Sequence, residues 1–356
     1  MGDKRILFTG GGTAGHVIVN LAVIPTFQKE GWEIDYIGSK NGIERELVSK
    51  LEGVTYHPIS TGKLRRYFSK ENFKDPFKVL KGTMQAYQII GKRKPAVIFS
   101  KGGFVSVPVL IAAKLRGVPA VIHESDYTPG LANKIAIPFA EKVLATFPET
   151  MQYLPANKSE WVGAVVRSEL FQGSKQKGLS FAGLQGNKPV LLIMGGSGGA
   201  QKINQAIRKN LDVLLDEFEI IHICGKGNVD DKARAEGYAP FDYINEELPD
   251  VFAATDFVLS RAGSNAIFEF LALKKPMLLI PLSRNASRGD QILNANSFKK
   301  QGYANVLEEE ELTGERLVKE LKQLKDGKTT MLKSMRTYES HQAKDTVINI
   351  IKDAGK

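Results

Sequence analysis

The chain holds a single cysteine, Cys224, among 356 residues. No disulfide can form within it, and such usage fits a reducing compartment. No apolar run approaches the ~20 residues that a membrane-spanning helix needs. Residues 1–30 lack the organisation of a secretory signal, because the apolar stretch 6–8 is too short and runs straight into glycines. These absences lead to the expectation of a cytoplasmic protein, attached at most peripherally to the membrane's inner face. Also missing are G-x-x-x-x-G-K-[ST], D-x-D and G-x-S-x-G, and the histidines (His16, His57, His123, His222 and His341) are too scattered for a metal pattern. A Walker-type site and a hydrolase nucleophile elbow are therefore excluded, and a metal-chelated nucleotide sugar has no obvious ligands. No cofactor is expected.

The composition is 42% hydrophobic and 25% charged, the profile of a globular chain. Its length exceeds one compact core and suits two domains of ordinary size. The net charge of +10 points to an anionic partner: nucleic acid, acidic phospholipid or a phosphorylated small molecule. No helix-turn-helix, zinc-finger or RNA-recognition pattern is present, so nucleic acid is not expected as a partner.

One scheme occurs twice. Apolar strands are predicted at 5–9, 33–37, 97–100 and 120–123, each ending in a loop of small or polar residues, with helices between them. In the first of these helices Val17, Leu21, Ile24 and Phe27 share a stripe, Pro25 reads as a kink and Gly31 as a stop. The scheme restarts with strands at 190–194, 220–224, 257–260 and 277–281 and a helix at 201–215. Residues 165–188, rich in Gly, Lys, Gln and Ser, read as linker plus loop. Asp230-Asp231 reads as a helix cap, and a last helix is expected near 343–352. The predicted class is α/β, two Rossmann-like doubly wound domains with an interdomain cleft. Their expected bounds are 1–164, joined by a C-terminal helix at 342–356, and 165–341.

Gly10, Gly12 and Gly15 fit G-x-G-x-x-G, a turn that lets backbone amides and a helix N-terminus approach a phosphate. A dinucleotide reader would add an acid at the end of the second strand. Here that strand ends Tyr36-Ile37-Gly38-Ser39-Lys40, which argues against a nicotinamide dehydrogenase. Three glycine loops at strand ends (10–15, 102–103 and 195–199) favour a diphosphate site over turns alone.

Gly11-Gly12-Thr13-Ala14-Gly15-His16, Lys101-Gly102-Gly103-Phe104-Val105-Ser106, His123-Glu124, Gly195-Gly196-Ser197-Gly198-Gly199-Ala200, Arg261-Ala262-Gly263-Ser264 with Glu269, and Asp290-Gln291 with Asn294-Ala295 stand in this order from the first strand to about residue 300. Together they resemble the signature segments of the MurG family, the undecaprenyl-diphospho-muramoylpentapeptide β-N-acetylglucosaminyltransferases of glycosyltransferase family 28. The resemblance implies a GT-B fold and inverting transfer of N-acetylglucosamine from UDP to the 4-hydroxyl of a lipid-linked N-acetylmuramoyl-pentapeptide in peptidoglycan synthesis. It implies that Ser197 and its loop hold the diphosphate and that backbone at Ile244 pairs with uracil. Ser264 would begin a helix facing the nucleotide, Glu269 would take the ribose hydroxyls, and Asp290 and Gln291 would contact the sugar. Thr13, Ala14 and Gly15 would border donor and acceptor, with Arg167 completing the diphosphate pocket. The implied partners are UDP-N-acetylglucosamine, undecaprenyl-diphospho-muramoylpentapeptide, an anionic membrane surface and other cell-wall synthesis proteins. Where the family often has His-Glu-Gln-Asn this chain has His123-Glu124-Ser125-Asp126, which exchanges a donating amide for a carboxylate.

For the base that takes the hydroxyl proton, His16 is the first candidate and Asp126 the second. His16 also fits a helix cap and Glu269 a solvated helix face, but Phe268, Phe270 and Leu271 around Glu269 suggest a partly buried stretch, where a carboxylate wants partners such as ribose hydroxyls. Residues 63–93 interleave Lys63, Arg65, Arg66, Lys70, Lys74, Lys78 and Lys81 with Leu64, Tyr67, Phe68, Phe73, Phe77 and Leu80. They read either as an interfacial segment on anionic lipid or as a solvated helix with aromatic core contacts. Rival activities on the same fold are a diacylglycerol glucosyltransferase and a UDP-N-acetylglucosamine 2-epimerase.

Overall fold

The computed structural model describes residues 4–62, 75–196, 199–230, 232–284, 289–338 and 342–356. The chain divides into two units, Met1–Val166 with Ser340–Lys356, and Arg167–Glu339.

In the first unit the elements are β1 (Arg5–Thr9), α1 (Gly15–Lys29), β2 (Glu33–Ser39), α2 (Ile43–Val48), β3 (Val54–Ile59), α3 (Asp75–Arg93), β4 (Val97–Ser100), α4 (Ser106–Arg116), β5 (Ala120–Glu124), α5 (Leu131–Ala136), β6 (Lys142–Ala145) and β7 (Ser159–Trp161). Among the described residues the strands form one parallel sheet in the order β3-β2-β1-β4-β5-β6-β7. Side chains alternate across a strand, so the apolar run of β1 serves two layers. Ile6 and Phe8 join one core with Val19, Val23 and Phe27 of α1, while Leu7 joins the other with Val109 and Leu110 of α4. The succession of strands reverses between β1 and β4. The loops that leave their carboxyl ends diverge there, and such a switch point is where open α/β sheets bind ligands. Helix α1 runs on through Pro25 to Lys29.

The second unit contains α6 (Lys175–Ala182), β8 (Val190–Met194), α7 (Gln201–Lys209), α8 (Leu211–Glu217), β9 (Glu219–Ile223), β10 (Tyr238–Phe241), α9 (Leu248–Ala254), β11 (Phe257–Ser260), α10 (Ser264–Ala272), β12 (Met277–Leu279), α11 (Asp290–Lys300), β13 (Ala304–Val306), α12 (Gly314–Asp326) and α13 (Lys328–Met335). Its parallel sheet has the order β10-β9-β8-β11-β12-β13, with the switch between β8 and β11. The expected linker at 165–188 is instead structured, with a 3₁₀ turn at Ser168–Gln172 followed by α6. Its glycines are there for packing. A Cβ on Gly173 would overlap the carbonyl of Pro249, and one on Gly178 that of Asp250, where α6 lies against α9. The helix expected over 201–215 breaks at Asn210, whose amide turns back to Ala206 O at 2.8 Å. Asp230 caps no helix; it accepts the Lys232 N–H in a turn.

The last helix, α14 (Ala343–Ala354), belongs to the first unit and packs on α1 and β4. Its Val347, Ile348 and Ile351 are buried in the same core as Phe8 and Phe27. Ile351→Ala is therefore expected to lower unfolding free energy by about 2–5 kcal/mol, the usual range for truncating a buried isoleucine. Urea unfolding measures it, and an unchanged midpoint would remove α14 from the core.

Candidate functional site

In the first unit, the carboxyl ends of β1, β4 and β5 bring together His16, Lys101 and Asp126. His16 is the second residue of α1, and its Nδ1 lies 2.9 Å from Gly11 O and 3.2 Å from Thr13 Oγ1. A carbonyl oxygen only accepts, so Nδ1 carries the proton and Nε2 keeps its lone pair. Burial, and next the Lys101 ammonium, hold His16 below the ordinary imidazole value. The Asp126 carboxylate, the bond to Gly11 and the Glu44 carboxylate act in the opposite direction. A neutral imidazole with a free Nε2 is the form a proton acceptor needs.

Lys101 is buried and donates to Ser125 Oγ. Burial lowers its pKa, while Glu124 and Asp126 work against that. Glu124 is buried too and accepts from the N–H of Asp126 (2.9 Å), the N–H of Gly130 (2.9 Å) and Asn133 Nδ2 (2.8 Å). It thereby fixes the 124–133 loop that carries Asp126. The Asp126 that stands where the family often has an amide thus lies beside a buried cation. His123, at the end of the same strand, lies wholly within the core beside Phe99, and burial keeps it neutral. It has no place in proton transfer.

Sequence reasoning missed Glu44. No acid stands at the end of β2, but α2 turns back and delivers one beneath the first glycine loop. Glu44 is completely buried and accepts from Gly12 N (3.1 Å), Ser39 N (2.9 Å) and Ser39 Oγ. A Cβ on Gly11 or Gly42 would overlap its carboxyl group, and one on Gly103 would overlap Gly11 O. Gly11 N itself bonds to Gly102 O at 3.3 Å. The amides of Gly11 and Gly12, expected to face a phosphate, are thus engaged inside the protein. The available signal was Glu44 flanked by Gly38 and Gly42, close-packed glycines that leave room for a buried side chain.

In the second unit, the expected donor residues follow the carboxyl ends of the strands. Gly195 and Gly196 follow β8, with a tight Gly199 N to Gly196 O bond of 2.8 Å; Ser197 between them lies outside the described residues. Ile244 follows β10, with its side chain buried. Ser264 is the buried first residue of α10, after an extended Gly263 around which a Cβ would meet open space. Asp290 opens α11, where a carboxylate suits the helix dipole. Gln291 is partly committed, because its Oε1 accepts the Leu282 N–H at 3.0 Å and ties down the loop after β12. Asn294 steadies the same edge by donating to Ala262 O at 3.1 Å. Arg261 is a strut: buried, it donates to Ile280 O at 3.1 Å and pairs with Glu309, itself paired with Lys202.

Glu269 and Arg167 form an ion pair that the sequence does not reveal. Glu269 is 6% exposed, in keeping with the apolar Phe268, Phe270 and Leu271 around it, and burial raises its pKa while Arg167 opposes the rise. Arg167 lies in the second unit, and its guanidinium grips Glu269 through Nε to Oε1 (2.9 Å) and Nη2 to Oε2 (3.2 Å). A buried carboxylate needs a counterion, and this one takes the cation that had been expected on the diphosphate.

Residues 6–145 match the glycosyltransferase family 28 N-terminal domain, and residues 190–350 the glycosyltransferase family 28 C-terminal domain. The chain is 70% identical over 354 residues to the UDP-N-acetylglucosamine–N-acetylmuramyl-(pentapeptide) pyrophosphoryl-undecaprenol N-acetylglucosamine transferase of Oceanobacillus iheyensis, covering 99% of each chain. It is 58% identical to the enzyme of the same name from Geobacillus thermodenitrificans, again over 99% of each. Among solved structures it is similar to Acinetobacter baumannii MurG, with a TM-score of 0.76, 25% identity, and coverage of 98% of this chain and 99% of that one.

Proposed function

This chain belongs to glycosyltransferase family 28, and we infer that it transfers N-acetylglucosamine from UDP-N-acetylglucosamine to the lipid-linked N-acetylmuramoyl-pentapeptide of peptidoglycan synthesis. The observation that carries this is the 70% identity over essentially the whole chain to a transferase of that name. The acceptor's 4-hydroxyl attacks the anomeric carbon, the bond to UDP breaks with inversion, and the hydroxyl proton passes to a protein base.

His16 is that base in this reading, with Nδ1–H held by Gly11 O and Nε2 directed at the hydroxyl. Asp126 sustains the imidazolium that forms, as its charge favours protonated His16. The second unit holds the donor at its β8/β11 switch point. There the loop containing Ser197 and the N-terminus of α10 at Ser264 meet the charge developing on the diphosphate. A carboxylate offers about four acceptor sites, so Glu269 can take ribose hydroxyls while Arg167 occupies two of them. Ile244 reads the base, and Asp290 and the amide N–H₂ of Gln291 reach the sugar.

Membrane attachment is assigned to α3. No helix among the described residues is long and apolar enough to cross a bilayer. Helix α3 buries Gly82, Ala86 and Ile90 on one face, yet on another Phe77 is 75%, Leu80 61% and Met84 59% exposed, beside exposed Lys81. An aromatic so exposed is not the core contact that a solvated helix would make with it, and an apolar stripe edged by lysines suits the headgroup zone of anionic lipid. Residues 63–74, with Arg65, Arg66 and Phe68, lie outside the described residues. At the far end of the helix, Arg93 bonds the fully buried Asp35 at 2.9 Å, which fixes α3 to the sheet.

Changing Phe77, Leu80 and Met84 together to serine is expected to weaken binding to phosphatidylglycerol vesicles at least ten-fold, since each such side chain withdrawn from water contributes about 1.5–3 kcal/mol. Activity on a water-soluble acceptor analogue should be unchanged. Wild-type protein that ignores these vesicles at low salt would overturn the assignment.

A further inference from the structure

Glu44 and His16 address the two ends of one peptide group. Glu44 Oε2 accepts the N–H of Gly12 at 3.1 Å, and His16 Nδ1 donates to the carbonyl of Gly11 at 2.9 Å. That N–H and that carbonyl belong to the single Gly11–Gly12 peptide. We propose that Glu44 is a positioning residue for His16, acting through this peptide to fix the Nδ1–H tautomer and to make Nε2 a stronger base. The proposal rests on the reading of His16 as the base in sugar transfer.

The peptide bond is a resonance hybrid with partial double-bond character between carbon and nitrogen. An anion held at its N–H draws the hybrid toward the form with negative charge on oxygen, which makes that oxygen a better acceptor. Chains of hydrogen bonds polarise one another by about 10–30% per bond. The effect is largest out of water, and Glu44 is 0% exposed. The carboxylate is itself held by the N–H and hydroxyl of Ser39, so it does not turn away from Gly12.

Three glycines on two loops and a helix start keep this path open. A Cβ on Gly11 or Gly42 would displace the carboxylate, and one on Gly103 would strike Gly11 O. The glycines therefore have a role that does not depend on touching phosphate. The charged and titratable neighbours are few. Lys101 from the β4 end and Asp126 from the β5 end face His16. Around Glu44 stand Arg45 on its own helix, Tyr36 from β2 and Tyr56 from β3, and both tyrosines are kept protonated by burial. Tyr36 donates to Gly10 O at 2.7 Å and Tyr56 to Ser39 O at 2.6 Å, bracing the loop on either side of the relay.

Glu44→Gln tests it, because the amide oxygen still accepts from Gly12 but the charge is gone. Outer-shell partners of metal-ligating histidines contribute about 10–100-fold; by analogy kcat should fall by about that order here while KM for UDP-N-acetylglucosamine stays put. Glu44 favours the imidazolium, so its neutralisation should move the acid limb of kcat to lower pH. ¹⁵N NMR of His16 should show the single Nδ1–H tautomer of the wild type replaced by a mixture. Adding Glu44→Gln to His16→Ala should cost nothing further.

Ser39→Ala keeps the charge but removes one donor from it, and should move the acid limb the other way. It supplies the reading if Glu44→Gln fails to fold. Near-normal turnover of His16→Ala would overturn the base itself. An inactive His16→Ala together with a wild-type tautomer and pH profile in both other variants would overturn the relay alone. The relay falls as well if the Glu44→Gln loss multiplies in full onto that of His16→Ala.

Discussion

His16→Ala should lower turnover by about 10²–10⁴-fold, the usual cost of removing a general base, with UDP-N-acetylglucosamine affinity unchanged. The expectation follows from tautomer and charge together. The bond from Nδ1 to Gly11 O leaves Nε2 as the acceptor, and burial with Lys101 keeps the ring neutral. Because its pKa is depressed, wild-type kcat should hold as pH falls through the ordinary imidazole value and decline only below it. Single-turnover rates across pH, with nucleotide affinity measured in parallel, separate this from a structural defect. An alanine variant with near-normal turnover would move the role to Asp126.

The second large effect is expected at Glu269. Charge-assisted hydrogen bonds contribute about 1.5–3 kcal/mol each, so Glu269→Ala should weaken UDP binding by more than ten-fold. Affinity for 2′-deoxy-UDP should suffer much less, since part of the contact is already gone from that ligand. Both ligands are needed because the variant also strips Arg167 of its partner, a loss common to the two nucleotides. Calorimetry on wild type and variant gives the comparison. Equal UDP affinity would leave Glu269 as the counterion of Arg167 and nothing more.

Much of the frame is legible in the sequence because buried parallel strands read as apolar runs stopped by glycine. Residues 5–9, 97–100, 190–194 and 257–260 are strands within those bounds. Strands β7 and β13 escaped because three residues carry no period, and β3 because its half-exposed Val-Thr-Tyr-His-Pro-Ile alternates poorly. The misread linker has a physical lesson. Glycine marks close backbone approach as readily as flexibility, and at Gly173 and Gly178 it marks helix packing.

The candidate site divides in the same way. Loops at strand ends could be placed from sequence, since topology alone sends them to one edge of the sheet. Pairings could not. Glu44 sits in Ile43-Glu44-Arg45-Glu46, where the flanking Gly38 and Gly42 are the one local sign that separates a buried carboxylate from its exposed neighbour Glu46. Arg167 and Glu269 are far apart in sequence and meet only because α10 carries its acid inside the fold.

Transfer of labelled sugar tests the central claim most directly. Full-length protein would be given UDP-N-acetylglucosamine labelled in the sugar, together with a synthetic lipid-linked N-acetylmuramoyl-pentapeptide, and the organic-extractable label would be followed with time. Label is expected to move into the lipid fraction only when that acceptor is present, and to slow sharply in His16→Ala. Label that stays on the nucleotide, or that leaves UDP as free or epimerised sugar with the acceptor untouched, would contradict the assignment.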